Sequence, residues 1–151
     1  MDEPKKTKFK PKSINEKIMD YLARRDHSER ELAQKLSRRY EAKEIEKAIE
    51  DVKERGWLLE PSVLAGKVAK QLSNKEKGHR FIQGYLRQKG LPNTEKDASL
   101  EEEKARSFIE RKLKKEPPYT FAEKQKAAPM LMRRGFDQDT IRKVLNEGRR
   151  S

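Results

Sequence analysis

What most restricts this chain is one layout that recurs: a short helix pattern, a basic turn, then a second helix pattern with an apolar face. One copy runs Leu32 to Leu36, then Arg38-Arg39-Tyr40, then Ile45. Another runs Met130 to Met132, then Arg133-Arg134-Gly135-Phe136, then Ile141. A third runs Ile82 to Leu86, then Gln88-Lys89-Gly90-Leu91. The step from Tyr40 to Ile45 equals the step from Phe136 to Ile141. Units of this size that repeat imply helical modules that stack. Such modules usually offer a long surface to a large partner and seldom enclose a small substrate.

Composition narrows the choice. Of 151 residues, 32% are apolar and 42% charged, which is thin for one large core. Small three-helix units suit it better, because each helix then buries only a narrow stripe. The net charge of +12 points to a polyanionic partner, nucleic acid first. The chain has no cysteine, which removes disulfides and thiolate chemistry and agrees with a reducing cytoplasm. The longest apolar run, Ala127 to Met132, is far too short for a membrane span. Lysines 5, 6, 8, 10 and 12 are not followed by the apolar stretch of a secretory signal, so residues 1–12 read as a disordered basic arm.

The remaining chain divides into modules at 13–60, 61–98 and 99–151. In the first, Ser13–Glu16 and Ser28–Glu31 are capping boxes, in which hydroxyl and carboxylate satisfy helix amides reciprocally. Ile45, Ala48, Ile49 and Val52 mark a third helix, ending at Gly56, with Trp57 and Leu58 folding back onto the bundle. In the second module, Leu64, Val68 and Leu72 mark one helix and Ile82, Tyr85 and Leu86 another, while the third is much shortened between Pro92 and Ser99. In the third, Ser99–Glu102 reads as a capping box, and Ala105, Phe108, Ile109 and Leu113 as a core face. Pro117-Pro118 breaks the chain and Thr120–Glu123 caps a helix that Pro129 is expected to kink or divide. Asp137 caps a last helix that closes at Gly148. No segment alternates with a period of two, so the fold class is all-α.

Catalytic signals are poor. His27 and His79 stand apart at helix starts, where surface or capping roles are expected, and no metal-ligand set surrounds them. Gly78, Gly84 and Gly90 are too spread for a phosphate loop of the nucleotide-binding type. The carboxylates Glu101 to Glu103 are accounted for by a helix start. No cofactor, metal or enzymatic activity is expected.

The cations are better organised. Lys75, Lys77, Arg80, Arg87 and Lys89 crowd one loop and helix, and Gly78 there leaves amides at a helix N-terminus open to a phosphate. Arg24, Arg25, Arg38 and Arg39 form a second cluster; Arg133, Arg134, Arg142 and Lys143 form a third. One cluster per module would let the protein follow a phosphate backbone in steps. Aromatic residues sit mostly at core spacing, so base stacking is not indicated.

At Tyr21 to Leu32 with Lys35-Leu36, at Gly56-Trp57-Leu58, at Lys77 to Ile82 and at Leu86 with Gln88-Lys89-Gly90, the chain resembles the RecX family of RecA regulators. Ala105-Arg106, Arg134-Gly135-Phe136 and Asp139-Thr140-Ile141 continue the resemblance, which spans roughly residues 14–148. It implies three tandem three-helix repeats in an elongated, curved array. It also implies a cytoplasmic, monomeric, non-enzymatic partner of the RecA–DNA filament, acting in DNA repair, recombination and the SOS response. Such a protein binds the filament, with its single-stranded DNA, and restrains recombinase, ATPase and co-protease activity. The residues alone leave a second reading open: a sequence-independent nucleic-acid binder with no filament role.

Overall fold

The computed structural model describes residues 12–148 as eight α-helices, with no strand among them. These are α1 (Ile14–Arg24), α2 (Glu29–Leu36), α3 (Ala42–Glu54), α4 (Pro61–Asn74), α5 (His79–Gln88), α6 (Ala98–Leu113), α7 (Phe121–Arg134) and α8 (Gln138–Leu145). They form two compact units that meet in sequence at Pro61 and Ser62. The basic arm expected over 1–12 lies outside the described residues, apart from Lys12.

The first unit holds α1 to α3. Both capping boxes form as the sequence requires: Ser13 Oγ accepts from Glu16 N and Ser28 Oγ from Glu31 N, while each glutamate accepts from its serine's amide. Each box is worth about 1 kcal/mol of helix stability. Ile18, Leu32, Leu36, Ile45, Ala48, Ile49 and Val52 make one core, flanked by Tyr21, Tyr40 and Leu58. Gly56, at φ +75°, ends α3: its amide donates to Lys53 O and that of Trp57 to Val52 O. Only Leu58 folds back as expected. Trp57 stays 39% exposed, with the Arg55 guanidinium 5.2 Å from its ring.

The second unit holds α4 to α8 and contains two separate apolar clusters. Leu64, Ala65, Ile82, Leu86 and Leu91 form the smaller. Ala105, Phe108, Ile109, Tyr119, Ala127, Leu131, Phe136, Ile141, Val144 and Leu145 form the larger. The shortening of the middle module's third helix goes to its limit, since residues 91–97 contain no helical turn. A side-chain clamp takes its place. The Gln83 amide donates to Thr94 Oγ1 (2.8 Å) and accepts from the Thr94 amide (2.9 Å), tying the extended segment to α5.

Three local expectations are corrected or narrowed here. Helix α6 begins at Ala98 and is capped by Asp97, whose carboxylate accepts from Leu100 N, so Ser99 lies inside the first turn and caps nothing. Of the two outcomes expected at Pro129, division of α7 is excluded, because the helix is continuous from Phe121 to Arg134. Pro129 has no amide to donate to the Gln125 carbonyl, and both residues are exposed. Helix α8 stops at Leu145 with Asn146 as its cap, short of Gly148.

Candidate functional site

In the first unit, one face of α1, the last turn of α2 and the turn after it gather cations around one aromatic ring. Tyr21 lies one turn beyond Lys17 on α1. The ammonium of Lys17 stands 5.4 Å from the Tyr21 ring centroid and that of Lys35 5.0 Å. With Arg38, Arg39 and Tyr40 these residues line a groove of about 530 Å³. The Tyr40 hydroxyl donates to the Lys12 carbonyl (2.7 Å), which fixes that wall.

His27 is part of this architecture and not a surface residue, being only 3% exposed. Burial is the main reason its pKa falls below the usual histidine value, so the ring is neutral at physiological pH. Its partners then define the tautomer. The carbonyl of Arg25, 3.0 Å from Nδ1, can only accept, and the Lys35 ammonium, 2.8 Å from Nε2, can only donate. Nδ1 therefore carries the hydrogen and Nε2 holds Lys35 at the rim of the groove.

The first sequence-derived cluster is thus split. Arg38 and Arg39 line the groove. Arg25 pairs with buried Glu31 (Nη2 to Oε2, 2.9 Å) and donates to the Asp26 carbonyl. Arg24 is exposed at the end of α1. Lys17 and Lys35 do not stand out in the sequence, because neither adjoins another cation of the groove. The available signal was helical: Lys17 precedes Tyr21 by four residues, and Lys35 precedes Arg38 by three.

In the second unit, Arg80 and Arg87 are exposed on α5 and flank Gly84 at helical spacing, away from the buried Ile82, Gln83 and Leu86. Lys77 lies 4.5 Å from the Phe81 ring and Lys89 5.3 Å from that of Tyr85; Lys75 is exposed. The expected phosphate nest at Gly78 is overturned. Gly78 is buried and its amide donates to Arg134 O (2.8 Å), that of His79 to Glu101 Oε1 (2.7 Å) and that of Arg80 to Gly135 O (3.0 Å). The donors at the start of α5 hold α6 and the α7–α8 turn, leaving these three none for a ligand.

The third cluster is also divided. Arg133 is exposed. Arg134 turns inward, its guanidinium 4.8 Å from the Phe108 ring and donating to the carbonyls of Lys75 and Glu76. Arg142 pairs with Asp139 (3.1 Å), both exposed and hence weakly, and exposed Lys143 with half-buried Glu102 (3.4 Å). Arg134 therefore joins the second and third clusters through the Lys75-Glu76 loop.

Glu101 lies in the first turn of α6, as expected, but is buried there. It forms a buried pair with Lys104 (2.6 Å), whose ammonium also donates to Ser73 Oγ (3.1 Å) and the Lys77 carbonyl (2.7 Å). Arg111 adds a bidentate pair with Glu76, which draws that carboxyl below its usual pKa. Polar groups thus bridge the two apolar clusters of this unit.

No group of three or more acidic or histidine side chains able to hold a metal exists among the described residues, and no described helix is long and apolar enough to cross a membrane. Fold and site together define a class: an all-α protein of small three-helix modules whose exposed chemistry is cationic. The comparisons with known proteins then make the assignment specific. Residues 16–51 match the family model of the RecX first three-helix domain, and residues 100–145 that of the RecX third three-helix domain. The Regulatory protein RecX of Leptothrix cholodnii is 33% identical over 140 residues, covering 88% of this chain and 87% of that protein. That of Chlorobaculum tepidum is 31% identical over 150 residues, covering 96% and 91%. A crystal structure of RecX from Lactobacillus salivarius shares the fold, with a TM-score of 0.71 at 19% identity over 87% of this chain and 92% of that one. The chain belongs to the RecX family of regulatory proteins.

Proposed function

We propose that this protein regulates the RecA recombinase by binding the RecA–DNA filament and restraining its ATP hydrolysis, strand exchange and co-protease action. It does so as a cytoplasmic monomer without catalytic activity of its own. The observation that carries this reading is the RecX relationship across nearly the whole chain. The cationic groups support it: modules at 13–60, 61–98 and 99–151 each bring a basic cluster, as a filament containing phosphate and acidic protein surface requires. Arg38, Arg39, Lys75, Arg80, Arg87 and Arg133 are exposed and stand first among the contact residues. The test is to add saturating protein to a RecA filament on single-stranded DNA. ATP hydrolysis should slow and filament lifetime should change; if both stay as they were, the reading is wrong.

A second reading, a sequence-independent nucleic-acid binder with no filament role, is favoured by the net charge of +12 alone. Competition separates the two. A filament regulator prefers recombinase-coated DNA over the same bare strand, whereas a general binder does not.

A further inference from the structure

The groove of the first unit has an unbalanced lining. Four cations line it, Lys17, Lys35, Arg38 and Arg39, and no carboxylate does. In the third cluster, by contrast, Arg142 meets Asp139 and Lys143 meets Glu102. The Tyr40 hydroxyl already donates to the Lys12 carbonyl, and Gln34 supplies the one side-chain amide on the lining.

The donor–acceptor balance selects the ligand. A peptide backbone brings an amide donor at each non-proline residue, and these need acceptors. This groove offers cationic donors and almost no side-chain acceptor. A phosphodiester backbone presents acceptor oxygens and negative charge along its whole length, which matches. The aromatic ring decides how much sequence is read. The Tyr21 ring already lies beside two ammonium groups and 5.6 Å from the His27 ring centroid, so it offers little free face for a base to stack on. Contacts limited to phosphate position a strand without reading it.

We propose that this groove is a phosphodiester-backbone site that holds a nucleic-acid strand without regard to base sequence, with Lys17, Arg38 and Arg39 contacting phosphate and His27 holding Lys35 in place as the fourth cation. The proposal deepens the functional reading above and rests on its premise that the partner includes nucleic acid. It assigns the strand, not the recombinase, to the first unit.

The test uses the full chain and a short labelled oligothymidylate, with no recombinase present. The triple variant Lys17→Gln, Arg38→Gln, Arg39→Gln is compared with a control triple, Lys43→Gln, Lys47→Gln, Lys53→Gln, which removes the same charge from α3. The groove triple should bind about tenfold more weakly at moderate salt, and its plot of log affinity against log salt should be shallower by about 2, as expected for three lost phosphate contacts on a single strand. The control should change little, and an oligocytidylate should behave as the oligothymidylate does. Arg39→Gln alone, in an exposed position, should give a smaller change of the same sign and guards against a folding defect in the triple. Equal losses from the groove and control triples would overturn the proposal, as would a polyglutamate peptide displacing the oligonucleotide from the wild type but not from the groove triple. Filament ATPase plays no part in this assay, so a failed filament reading and a failed groove assignment give different results.

Discussion

Gly78 and Gly135 meet back to back: a Cβ built on Gly78 would lie 2.4 Å from the carbonyl carbon and oxygen of Gly135. The approach lets the Gly78 amide reach Arg134 O and the Arg80 amide reach Gly135 O. Gly135 itself sits at φ +97°, and a Cβ there would be 2.4 Å from that of Phe81. Backbone is on both sides of the contact, so no side-chain rotation relieves it. Gly78→Ala is expected to destabilise the second unit by about 3 kcal/mol, at the upper end for overpacking. Gly84→Ala, with nothing within 4 Å of the added methyl, should be neutral or slightly stabilising. Urea unfolding of the two variants checks the contrast.

The buried pair of Glu101 and Lys104 predicts strong coupling. Side-chain exposure is 5% and 6%, and Lys104 has two further acceptors besides Glu101. Glu101→Leu leaves an ammonium buried beside a lost partner and should cost about 3–5 kcal/mol. Glu101→Leu with Lys104→Met should cost less than the sum of the single changes. A double-mutant cycle measured by denaturant unfolding gives the coupling; additive costs would show that the pair does not act as one.

Asp137 carries a prediction in acid. Partial burial alone would raise its carboxyl, but hydrogen bonds from Lys96 (2.5 Å) and the Thr140 amide (2.9 Å) outweigh that and hold the pKa at about 2, against 3.8 ordinarily. A folded pKa below the unfolded one contributes stability that is complete above about pH 4 and is lost as pH falls through about 2. The contribution is roughly 1 kcal/mol once solvent screening of the exposed Lys96 is allowed for. Asp137→Asn keeps the capping geometry without the charge. The gap between wild type and variant in urea midpoint should close between pH 4 and 2; a constant gap would contradict the assignment.

His27 predicts a pH dependence in the first unit at milder acidity. Its pKa is lowered, by burial first, with Lys35 and Arg25 adding to that. The unfolded chain therefore takes up the proton more readily, so stability is full above about pH 6.5 and falls as pH drops toward the folded pKa. Protonation also puts a hydrogen on Nε2, facing the Lys35 ammonium, which should free Lys35 from the groove rim. His27→Gln should flatten the pH profile of unfolding below neutrality. Nitrogen-resolved NMR of His27 should report the Nδ1–H tautomer at pH 7.

Most of the helices were legible from the sequence because their determinants are local. Ser13, Ser28, Thr120 and Asp137 cap the helices they were expected to cap, since a hydroxyl or carboxylate three residues from its amide needs no tertiary help. The spacing of Ile45, Ala48, Ile49 and Val52, or of Ile141, Val144 and Leu145, likewise states which face is buried. Family membership was legible too, because the turn residues that carry it recur in order along the chain.

What the tertiary structure decided lies where polar groups choose among several partners. Glu101 stands next to a helix start in sequence, but α5 and α6 come together and make it the acceptor for the His79 amide and Lys104. The Gly78 loop, which in sequence looks like a phosphate site, gives its donors to Arg134, Gly135 and Glu101 once α7 and α8 pack against it. The groove at Tyr21 needed α1 and α2 side by side before Lys17 and Lys35 shared one ring. A cap or an apolar stripe is satisfied within one or two helical turns. A charge or an amide is satisfied by whatever long-range packing brings within 3 Å or so, and no local pattern records that choice.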